Sequence, residues 1–88
     1  MSMIGVSVAS NKSLQFEATQ EAYNNQIGRL NNFLVQDNTH EDTVMAKMVE
    51  LTDQEATLSQ FSAGELNKMR LEIRPSIDAF LSSLTVAV

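Results

Sequence analysis

The sequence contains no cysteine, which removes disulfide staples, thiolate metal sites and a cysteine nucleophile together, and leaves packing alone to hold the chain. Proline occurs once and glycine three times in 88 residues, too few turn formers for a many-stranded sandwich. Gly5, Gly28 and Gly64 stand apart from one another, so they cannot form a phosphate-cradling loop. Basic residues are scarce, six against eleven acidic ones, and the net charge of −5 disfavours nucleic acid and anionic membrane surfaces as partners. No stretch approaches the roughly 20 consecutive apolar residues that a membrane-spanning helix needs. Met1 to Ser10 carries no basic residue ahead of its short apolar run, so no cleavable secretory signal is expected. The expected location is the cytoplasm, or outside it by a route that leaves no cleavable signal.

What the chain does have is 43% hydrophobic and 19% charged residues, too apolar for a disordered tail and long enough for one small core. The expected fold is all-α, an antiparallel helical hairpin or three-helix bundle with coiled-coil-like packing and loose termini. Residues 1–12 read as a flexible arm and 13–88 as a single helical domain. From Ser13 to about Gln36, Phe16, Tyr23, Ile27, Leu30 and Leu34 recur at helical steps and make a narrow seam interrupted only by Gln20. Asn24, Asn25, Gln26, Asn31 and Asn32 fall off that seam and are expected to be solvated.

Asp37 to Thr43 carries no large apolar residue and reads as a turn. Thr39 with Asp42 has the spacing of a capping box, so a second helix is expected there, burying Val44, Met45, Met48, Leu51, Leu58 and Phe61. The same signature returns at Thr52 with Glu55 and at Ser62 with Glu65, which leaves the next break near Leu51 or near Ser62. The last series, Leu66, Met69, Ile73, Ile77, Phe80 and Leu84, keeps its helical phase through Pro75, where a bend is expected. Ile4, Val6 and Val8, and again Leu84, Val86 and Val88, alternate with small residues in a strand-like period at the two ends. Acidity is uneven: two basic and three acidic residues lie in 1–38, against four and eight in 39–88.

Little of this supports chemistry. His40 sits beside Asp37, Glu41 and Asp42, but consecutive residues of one polar turn are a helix start rather than convergent metal ligands from separate elements. A Ser-His-acid triad would need the single histidine to leave that turn and meet a serine in a cleft. Leu51-Thr52-Asp53-Gln54-Glu55 is not followed by a calcium-binding loop. No catalytic residue, cofactor, metal or small-molecule substrate is expected. Lys68, Arg70 and Arg74 form the one basic cluster and define the alternative reading, a small nucleic-acid-binding regulatory domain; Glu65, Glu72 and Asp78 are spaced to neutralise them by local ion pairs.

In layout, with an acidic chain of this length, a helical hairpin and an apolar C-terminal end, the sequence resembles the needle and inner-rod subunits and the small helical chaperones of bacterial type III secretion systems. The proline-containing turn of the needle subunits has no counterpart in Gln36-Asp37-Asn38-Thr39. Composition and pattern together favour a non-enzymatic helical protein-protein interaction module, a self-assembling subunit or a chaperone-like adaptor. Small scaffolds without staples often gain stability by association. The expected partner-binding residues are Tyr23, Ile27, Leu30, Leu34, Met69, Ile73, Ile77, Phe80 and Leu84, in a homo-oligomer or heterocomplex. Nucleic acid is not an expected partner.

Overall fold

The computed structural model describes residues 12–85 and shows three α-helices and no strand among them. α1 spans Lys12–Gln36, α2 Glu41–Ala56 and α3 Ala63–Thr85, with a single 3₁₀ turn at Leu58–Gln60 between the last two. The fold is all-α as expected, and of the two expected arrangements it is the three-helix bundle. The strand-like patterns at residues 4–8 and 86–88 lie outside the described residues, as does nearly all of the expected N-terminal arm; Leu84 and Thr85 belong to α3.

The first reversal falls where the apolar residues stop. Asp37 closes it, its carboxylate accepting from the Thr39 backbone N–H at 2.9 Å, so Thr39 is held in a turn and does not cap α2. His40 occupies the N-cap position without a side-chain cap bond, and Glu41 and Asp42 complement the positive end of the helix instead. The second reversal lies between Thr57 and Ser62. Leu51 is buried in mid-α2, and the Thr52 hydroxyl donates to the Met48 carbonyl within the same helix at 2.9 Å, so no break occurs there. At Ser62 the capping box forms in full: its N–H donates to Glu65 Oε1 at 2.9 Å while Glu65 N–H donates to Ser62 Oγ at 3.2 Å. α3 then runs without interruption through Pro75. Pro75 and the exposed Leu71, whose carbonyl loses its bond to the missing N–H, both lie on the solvent side, where water can satisfy it.

α1 is the central helix, packed on α3 along one flank and on α2 along the other, while α2 and α3 have little direct backbone contact. α2 runs back along α1. α3 runs parallel to it, because passing from Thr19 to Arg29 on α1 moves the partner on α3 from Leu66 to Asp78. Leu30, Val44, Leu51, Leu58, Leu66, Ile73 and Ile77, with Tyr23, form the core, and Phe16, Ile27, Leu34, Met48, Phe61, Met69, Phe80 and Leu84 pack half-buried around it.

The buried line of α1 is not the apolar seam. It consists of Gln15, Thr19, Tyr23, Gln26 and Leu30, three of them polar. A helix clasped on two sides buries a wide arc, and the α3 flank of that arc is polar: the Thr19 hydroxyl donates to the Leu66 carbonyl, and Arg29 Nη1 reaches both Gln26 Oε1 at 3.3 Å and Asp78 Oδ1 at 2.6 Å. Gln26 is therefore buried rather than solvated. Asn25, Asn31 and Asn32 are exposed as expected, and the exposed Asn24 amide, with its nitrogen turned toward α2, can donate to the Glu55 carboxylate at 2.8 and 3.2 Å. Met45 is exposed on α2, contrary to its expected burial.

Candidate functional site

Since α2 and α3 both rest on α1 without closing on each other, a cleft of about 180 Å³ remains between them. Helical spacing decides what lines it. Lys47, Glu50, Leu51 and Gln54 recur at steps of three, one and three on α2, and Met69, Glu72, Ile73 and Ser76 do the same on α3. Each helix thus presents one edge of its buried face, with apolar residues below and charged or polar ones above. Tyr23 of α1 is the floor.

The electrostatics of the cleft are set by two carboxylates and one ammonium. Lys47 Nζ lies 3.1 Å from Glu50 Oε1 and 5.1 Å from the centroid of the Phe80 ring, so it ties the pair on α2 to the far wall. Glu50 also accepts from Gln54 Nε2 at 3.5 Å. Glu72 pairs with no cation among the described residues. Burial first, and then the charges of Glu50 and Glu72, push the Tyr23 phenol above its ordinary pKa and keep it protonated.

The partner-binding residues expected from sequence fall into two groups. Tyr23, Leu30, Ile73 and Ile77 are buried within the chain; Ile27, Leu34, Met69, Phe80 and Leu84 are half-buried against the same core. Of the nine, Tyr23, Met69 and Ile73 meet at the cleft. The basic cluster does not form one face. Lys68 and Arg70 are about 200° apart around the helix, and Arg70 is half-buried, with Nη2 donating to Asn67 Oδ1 and Nε enclosed without a partner. Glu65, Glu72 and Asp78 make no ion pair with these residues among those described; Glu65 is engaged by Ser62, and Asp78 crosses to Arg29.

His40 stays on the α1–α2 turn beside Asn38, Thr39 and Glu41 to Thr43, away from the cleft. Among the described residues no group of three or more His, Asp or Glu is placed to hold a metal ion, and no helix is long and apolar enough to cross a membrane. The polar rim of the cleft, Lys47, Glu50, Gln54 and Ser76, was not singled out by the sequence. The available signal was Tyr23, the single tyrosine, placed on an otherwise aliphatic and phenylalanine-lined seam. No protein-family model matches the chain, and neither a curated protein nor a solved structure does.

Proposed function

We propose that the chain is a non-enzymatic helical interaction module that receives a helical segment of another protein along the cleft between α2 and α3. The observation that supports this reading is the cleft itself, lined by three helices and bridged by little more than the reach of Lys47 toward Phe80. A fourth helix laid there would pack as in a four-helix bundle and cover Met69 and the aliphatic stems of Lys47 and Glu72. A different protein suits the site better than a second copy. The chain carries −5, and two glutamates rim the cleft, so a second copy brings like charge to it. An adaptor or chaperone-like role, including one in a secretion system, is consistent with this mode of binding.

The test is co-purification from the native cell followed by sedimentation velocity of the reconstituted complex. Ser76→Trp places bulk in the cleft at an exposed position, and Leu71→Trp places the same bulk on an exposed position outside it. The expected result is a complex that forms with the wild type and Leu71→Trp and is lost with Ser76→Trp. A chain that stays monomeric and binds nothing, one that only self-associates, or a complex indifferent to Ser76→Trp would overturn the proposal.

A further inference from the structure

The floor of the cleft holds a polar group that the fold itself does not use. Tyr23 is only 4% exposed and lines the cleft, yet its hydroxyl makes no hydrogen bond to any described residue. The ring is buried but the hydroxyl tip reaches the cleft, where it faces the space between two carboxylates and a partner group can take the place of water. Those carboxylates are not equivalent. Glu50 is shared by Lys47 and Gln54, whereas Glu72 has no cation within salt-bridge distance among the described residues. Lys47 is engaged by Glu50 of α2 and by the Phe80 ring of α3, and it makes no ion pair with Glu72. The cleft is therefore short of one positive charge, and it has an apolar wall of Met69 and Ile73 beside that vacancy in charge.

We infer that the cleft takes a lysine or arginine side chain of the partner helix, with its cationic head between Glu72 and the Tyr23 oxygen and its aliphatic stem along Met69 and Ile73. Both parts of such a side chain are matched. The head donates to the carboxylate and to the phenol oxygen, and the methylene stem covers apolar surface that a polar ligand would leave wet. An anionic anchor would be repelled by Glu50 and Glu72, and a purely apolar one would leave Glu72 uncompensated and Tyr23 unpaired.

The inference rests on the interaction-module reading for the source of the cation, but a small probe tests the site without any partner. The probe is N-butylguanidinium, a single cation on a four-carbon apolar stem, titrated into isotopically labelled protein and followed by NMR, with uncharged N-butylurea as the control. Expected are saturable shifts at Tyr23, Met69 and Ser76 with a dissociation constant on the order of 1 mM, as for one screened ion pair with a hydrogen bond. Affinity should fall as salt rises. Tyr23→Phe, which keeps the ring, and Glu72→Gln, which keeps the shape, should each weaken binding by roughly tenfold. Equal shifts with N-butylurea, shifts spread over the whole acidic surface, or unchanged affinity in both variants would overturn the cation site, whatever protein is found to bind. Saturable N-butylguanidinium binding together with failure to find any protein partner would instead uphold the site and overturn the interaction module.

Discussion

The Thr19 hydroxyl donates to the Leu66 carbonyl at 3.0 Å inside the bundle, joining residues 47 apart in sequence. It is the point at which α3 is set in register along α1 after the second reversal. Apolar packing alone leaves parallel helices free to slide by a turn, since every turn presents a similar face; a buried donor with one acceptor removes that freedom. Thr19 is fully buried, so removing its hydroxyl leaves no water to take its place.

Thr19→Val should lower stability by about 1 kcal/mol, the net value of such a bond, with Thr19→Ser recovering part of it. Urea denaturation at neutral pH measures both. A Thr19→Val protein as stable as the wild type would show that the hydroxyl does not fix the α1–α3 register.

The caps predict a pH dependence. Glu65 is held below the ordinary carboxylate pKa by the Ser62 backbone N–H and then by the Ser62 side chain, and Asp37 by the Thr39 side chain and then the Thr39 backbone N–H. A carboxylate whose pKa is lower in the folded state adds stability above its unfolded pKa and loses it as pH falls through the folded value. Both groups are exposed, so the loss is a gentle decline beginning below about pH 5 rather than a cliff. Urea midpoints taken from pH 7 to pH 3 should fall less steeply for Glu65→Gln than for the wild type, and Ser62→Ala should cost about 1 kcal/mol at pH 7.

The helices themselves were legible because their signals are local. Phe16 to Leu34 and Leu66 to Leu84 keep helical steps, and Ser62 with Glu65, each side chain meeting the other's backbone N–H, was one of two breaks that the sequence left open. The start of α2 was misread because Asp37 competes for Thr39, and a threonine engaged by an upstream carboxylate is not free to cap. The burial of Gln15, Thr19 and Gln26 was not legible at all. It arises from α1 being clasped by two helices, a tertiary fact that overrides the polarity of the side chains, with the Leu66 carbonyl there to meet Thr19 and Arg29 to meet Gln26. The cleft shares that origin: each edge is an ordinary helix flank, and only the separation of α2 from α3 makes it a site.

Gly28 offers a stabilising substitution. It sits in the middle of α1, exposed, at negative φ, and a methyl group added there meets nothing within 4 Å. Gly28→Ala should therefore gain about 0.5–1 kcal/mol by restricting the unfolded chain and favouring the helix. Thermal unfolding would show a rise in Tm, and a fall would mean that α1 meets another surface at this position.

The apolar C-terminal stripe was expected from sequence to be covered by another chain. Ile77 is fully buried within the monomer, and Phe80 is half-buried against the same core with the Lys47 ammonium over its ring. Phe80 thus serves the fold before it serves any partner. Phe80→Ala removes partly buried ring area and one cation–π contact, and should lower monomer stability by about 2 kcal/mol, below the range for a fully buried phenylalanine. Leu71→Ala, at 60% exposure on the same helix, should change it by less than about 0.5 kcal/mol. Urea unfolding at several protein concentrations measures both effects. A Phe80→Ala loss that appears only at high concentration would place the ring in an interface between chains, whereas a loss independent of concentration places it in the core of one.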